Sequence, residues 1–92
     1  MVNSMSNDIK NNYSDLFDAI IKLNTKEDCE VFFRDLCTIK ELDSMAQRVV
    51  AAKLLIDGET YEKIIAKTDI SSATLSRISR CVKYGEGYRK FL

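Results

Sequence analysis

Residues 60–79 read TYEKIIAKTDISSATLSRIS, and the reading of this stretch decides the fold. Two short runs with apolar residues at helical spacing flank a polar break, and the second run opens with Ser-Ser-Ala-Thr. Numbered from Tyr61, the fourth, tenth, fifteenth and eighteenth places are Ile64, Ile70, Leu75 and Ile78. A helix-turn-helix wants apolar side chains at those places, because they wedge two helices at the steep angle of the motif. The turn place between the helices is left-handed and often glycine. Here it is Asp69, which tolerates that conformation better than most residues. The fifth place, usually small, is Ile65, a departure that crowds the crossing. The spacing predicts a helix-turn-helix over about 60–83.

At about 100° per residue, the second helix of this unit has two faces. Leu75, Ile78 and Val82 cluster on one side, and Ala73, Ser76, Arg77, Arg80, Lys83 and Tyr84 gather on the other. The outer face is thus small at its leading end and basic further along, which is the order a recognition helix needs. Small residues let the first turn enter the major groove and meet base edges, and arginines and lysines then neutralise phosphates. Ser71 is a natural N-cap, and the free amides at that end also suit a phosphate. Thr74 is placed for a thymine methyl or a base edge. The candidate DNA-contacting residues are Ser71, Ser72, Ala73, Thr74, Ser76, Arg77, Arg80 and Lys83. A plainer account exists, since surface helices are polar outside and basic residues near a C-terminus complement the helix dipole. The coincidence of motif spacing, charge distribution and small leading residues weighs against it.

The chain of 92 residues has no net charge and a pI near 6.2, which sits oddly with a polyanionic partner. The total hides an asymmetry. Residues 1–47 carry five bases and nine acids, a net of −4, whereas residues 48–92 carry nine bases and five acids, a net of +4. Beyond Asp69, the residues Arg77, Arg80, Lys83, Arg89 and Lys90 face Glu86 alone. A split of this kind suggests that one end meets an anionic partner.

No proline occurs, and glycine stands only at positions 58, 85 and 87, which favours helices joined by short turns. A first helix is expected over about residues 12–23, with Tyr13, Leu16, Phe17, Ile20 and Ile21 on one face. Thr25 with Asp28 forms a variant capping box for a second helix, whose buried side is expected to hold Cys29, Phe32, Phe33 and Leu36. Thr38 and Glu41 form the standard box of a third, longer helix ending at Gly58. Along it, Leu42, Met45, Val49, Ala52 and Ile56 repeat at three and four, and Ala46, Val50, Leu54 and Leu55 widen the stripe. A helix apolar on several sides wants partners on several sides, and a chain this short has a thin core. A second subunit is therefore expected to supply some of them.

The expected architecture is all-α: a flexible segment at 1–11 and a single helical domain over 12–92. Cys29, Cys37 and Cys81 are odd in number and fit no disulfide framework, so they read as buried thiols of a reducing cytoplasm. Histidine is absent, as is any Cys-x-x-Cys pair, which argues against a metal site. No apolar run approaches the roughly 20 residues that span a bilayer, and the polar N-terminus is no signal peptide. Without histidine, Ser-His and Cys-His nucleophile pairs are excluded, and the acidic pair Glu27–Asp28 lies where capping explains it. The sequence therefore points away from an enzyme. The alternative to a DNA-binding regulator is a helical protein-interaction module, which the acidic first half would support.

From Leu36 to Lys83, the segments LCTIKELDSMAQRVV, LLIDGET and SSATLSR resemble the Trp repressor family, especially its YerC/YecD-type branch. The resemblance covers about half the chain. It implies an intertwined, all-helical homodimer that presents two helix-turn-helix units to successive major grooves of double-stranded DNA. It also implies a corepressor pocket, with Thr38, Arg48 and Arg77 at the matching positions. The ligand class implied is amino-acid-like. Ile78 stands where the family has a glycine that gives the ligand room, and this counts against tryptophan itself. Arg48 suits either a ligand or an ion pair at the edge of a helix packing, and Arg77 suits DNA phosphate, ligand or structure.

Overall fold

The computed structural model describes residues 7–92, with side chains from residue 12 onward. Six helices follow one another: α1 (Asn7–Ile20), α2 (Lys26–Leu36), α3 (Ile39–Ile56), α4 (Tyr61–Thr68), α5 (Ser72–Tyr84) and α6 (Gly87–Phe91). Among the described residues there is no strand, in agreement with the all-α expectation. By its internal contacts the chain forms two compact units, 1–36 and 37–92.

The first unit holds α1 and α2. The backbone is helical from Asn7, inside the segment 1–11 that the sequence reads as flexible, and the first six residues of that segment lie outside the described ones. α1 also stops at Ile20, three residues before the expected end, and residues 21–23 form a turn. The box that opens α2 is a shortened one. Thr25 Oγ1 accepts from the Asp28 amide at 3.0 Å, but Asp28 reaches back past Thr25 to the Asn24 amide at 3.1 Å. The buried side expected of α2 is not buried within the chain. Cys29 and Leu36 are exposed, while Phe32 and Phe33 are half-buried and meet edge to face at 5.6 Å. Helical spacing marks which face is apolar, not what covers it, and no described side chain of this unit is fully buried.

The second unit has the core. Ala51 and Ala52 of α3, Ile64 of α4, Ile70 of the turn, and Leu75, Ile78 and Val82 of α5 are buried, with Leu54, Leu55, Ile56, Ile65 and Tyr88 packed around them. Burial of side chains the size of Ile64 and Leu75, both completely enclosed, stabilises by about 1.5–3 kcal/mol each. α3 begins with both hydrogen bonds of the capping box: Glu41 N–H donates to Thr38 Oγ1 (3.1 Å), and Thr38 N–H donates to Glu41 Oε1 (2.8 Å). These bonds hold the Glu41 carboxyl below its usual range, the backbone donor of Thr38 contributing most. α3 ends in a Schellman motif. Gly58, at φ +89°, donates to the Leu55 carbonyl, and Glu59 donates to that of Leu54, both at 3.0 Å.

α6 was not foreseen. Gly85 caps α5 by donating to the Cys81 carbonyl at 2.9 Å, and a Cβ there would lie 2.7 Å from the same oxygen, so only glycine fits. Arg89 Nε then donates to the Val82 carbonyl at 2.7 Å, which fastens α6 to the end of α5.

Candidate nucleic-acid interface and adjoining cleft

The helix-turn-helix is built as the spacing predicts. Thr60 caps α4 by accepting from the Lys63 amide at 3.3 Å. Asp69 takes the left-handed conformation, φ 63° and ψ 15°, and donates its amide to the Ile65 carbonyl. The four wedge residues Ile64, Ile70, Leu75 and Ile78 are all buried. Ile65 is only half-buried, so the crossing accommodates it at its edge. Thr68 was missed by sequence reasoning. Its buried hydroxyl donates to the Ile64 carbonyl at 2.7 Å and lies 3.4 Å from the Ile70 amide, so one side chain ties the end of α4 to the turn.

Ser71 caps α5 as expected, accepting from the Thr74 amide at 3.1 Å, and its hydroxyl also donates to Thr74 Oγ1 at 2.9 Å. Ser72, Ala73, Ser76, Arg77, Arg80 and Lys83 are exposed, and Thr74 is half-buried. Because Leu75, Ile78, Ser79 and Val82 face the core, the outer face of α5 is presented as one surface: small side chains lead and basic ones follow. Arg89, which sequence reasoning set beside the other cations, is committed to the Val82 carbonyl.

Beside this surface lies a cavity of about 310 Å³ between α3, α5 and α6. It brings together Arg48 and Arg77, with Ser44, Thr74, Ile78, Cys81 and Tyr88 around them. Thr38 does not line it. That residue lines a neighbouring depression of about 420 Å³, shared with Ser44 and Arg48, and its hydroxyl is held by the cap of α3. Ile78, only 3% exposed, belongs to the core as well as to the cavity wall. Tyr88 comes from α6, so no reading that stopped at Lys83 could have found it. The thiols expected to be buried are not: Cys29 and Cys81 are exposed and Cys37 is half-buried.

The family described as Trp repressor protein matches the chain over residues 11–92. The chain belongs to the Trp repressor family. Relatives agree in sequence and in shape. The uncharacterised protein YerC of Bacillus subtilis (strain 168) is 50% identical over 70 residues, which is 76% of this chain and 67% of YerC. A TrpR-like protein of Eubacterium eligens ATCC 27750 superposes with a TM-score of 0.85 at 40% identity, covering 92% of this chain and 90% of that one. A candidate Trp repressor of Staphylococcus aureus superposes with a TM-score of 0.81, also at 40% identity, covering 85% and 79%. The Trp repressor family is one of helix-turn-helix regulators and not of enzymes. Among the described residues, no helix is long and apolar enough to cross a membrane.

Proposed function

We propose that this protein is a transcriptional regulator that binds double-stranded DNA sequence-specifically as a homodimer, represses by occupying its operator, and works in the cytoplasm. The observation that carries this reading is the outer face of α5, where Ala73, Ser76, Arg77, Arg80 and Lys83 stand exposed over a helix anchored by Leu75 and Ile78. The first turn of α5 enters the major groove, Thr74 meets a base edge, and Arg80 and Lys83 neutralise phosphates. Two copies are needed because one module makes few contacts. The apolar side chains the single chain leaves open, among them Phe17 at 58%, Val31 at 66% and Ile21 at 77% exposure, are the surface offered for a second copy to cover. The cavity beside α5 is the place for a small effector.

A salt titration of duplex binding tests the reading. Each neutralised phosphate contributes about −0.9 to the slope of log K against log salt, so Arg80 and Lys83 on two subunits alone give about −3.6. Replacing either by alanine lowers affinity for all duplexes alike and flattens the slope. Thr74→Ala instead relaxes preference at one base pair, an effect on the order of 1–3 kcal/mol. If no duplex, including the protein's own upstream region, binds at low salt, the interaction-module reading takes its place.

A further inference from the structure

Thr74 has two groups with which to meet a base, a hydroxyl and a γ-methyl, and they read different chemistry. We propose that it reads with the methyl, so that the base pair it selects carries thymine beneath the first turn of α5. This deepens the DNA-binding reading above and rests on it. The hydroxyl is already engaged. Ser71 Oγ accepts from the Thr74 amide at 3.1 Å and lies 2.9 Å from Thr74 Oγ1, so the amide and the hydroxyl of one residue are both tied to the same capping oxygen. To offer that hydroxyl to a base, Thr74 has to leave the cap, and exchanging one hydrogen bond for another yields little net gain. A β-branched side chain has few χ1 states, so holding Oγ1 at the cap fixes the methyl as well. The methyl has no competing tie.

The rest of the leading turn agrees. Ala73, exposed beside Thr74, adds a second methyl and no polar side-chain atom. No arginine, asparagine or glutamine stands at 71–76, so the bidentate pairings that select guanine or adenine have no donor there. Arg77 is the first long polar side chain of α5. The first turn therefore offers small apolar groups, and the methyl that a base pair shows in the major groove belongs to thymine.

In the test, the full-length protein selects duplexes from a randomised pool. Each thymine of the recovered site is then replaced in turn by deoxyuridine, which keeps the O4 acceptor and the base pairing and removes only the C5-methyl. Affinities are measured at fixed salt for the parent, Thr74→Ser and Thr74→Val. For the parent, replacing a thymine in one half-site is expected to cost about fourfold in affinity, the scale of one methyl group taken out of water. Thr74→Ser keeps the capping hydroxyl and lacks the methyl, so thymine and deoxyuridine bind alike at that position while other thymines respond as in the parent. Thr74→Val lacks the hydroxyl and keeps a methyl, so its preference for thymine persists. If Thr74→Ser fails to fold, as judged by circular dichroism, Thr74→Val decides alone. The inference is overturned if no thymine of a bound duplex responds to deoxyuridine, if Thr74→Ser discriminates as the parent does, or if Thr74→Val does not discriminate. Should the pool yield no bound duplex at low salt, the DNA-binding reading falls and takes the methyl contact with it, a result distinct from a bound duplex indifferent to deoxyuridine.

Discussion

Asp69 is the residue on which the angle between α4 and α5 depends. A left-handed backbone strains any side chain with a Cβ, least for aspartate and asparagine and most for β-branched residues. Glycine removes the strain but adds freedom to the unfolded chain. Asp69→Gly is therefore expected to leave stability within about 0.5 kcal/mol of the parent, whereas Asp69→Val loses roughly 1–3 kcal/mol. Urea unfolding measures both, and equal losses would mean that the carboxylate matters and not the backbone. At this scale the sequence was informative wherever one residue type answers one geometric demand. Ile64, Ile70, Leu75 and Ile78 had to be apolar, and Asp69 had to tolerate positive φ. It was silent on Thr68, whose burial depends on a hydroxyl returning to its own helix, a bond that no periodicity announces.

Helix ends behave as local chemistry. The Thr38–Glu41 box, the Ser71 cap and the Gly58 terminus were all legible, because each is written within four residues. α6 was not, since five residues are too few to display a period and its hold on α5 comes from Arg89, a surface cation by any composition rule. The box of α3 makes a prediction about acid. Glu41 has its folded-state pKa depressed by the donors of Thr38. Its contribution is complete above the pKa of the unfolded chain and is lost as pH falls through the lower folded value. The stability difference between the parent and Glu41→Gln should therefore be present at neutral pH and close in acid, in paired denaturant curves. A difference that widened on acidification would contradict the cap.

At the scale of the whole molecule, the open question of sequence reading was what covers the apolar stripes. Spacing identified Val49 and Val50 as apolar positions of α3, yet they are 40% and 47% exposed in the single chain. No pattern within one chain can name a surface on another. If a second copy covers them, a buried charge there has no partner and is costly. Val49→Glu is then expected to raise the dimer dissociation constant at least about tenfold while helical content is retained. Sedimentation equilibrium at several concentrations reads this directly, and an unchanged mass would place the subunit interface elsewhere.

The joint between α3 and α4 has one further consequence, for inheritance. Asp57 caps α3, Gly58 turns left-handed, Glu59 donates to Leu54 and pairs with Lys67, and Thr60 caps α4. Every residue of the joint has a backbone duty, so it holds no slack. An extra residue absorbed into either helix would swing the elements that follow it by about 100°. Relatives can drift in spelling through this joint, but insertions and deletions there should be purged, which makes the length of 57–60 a sterner lineage marker than its letters.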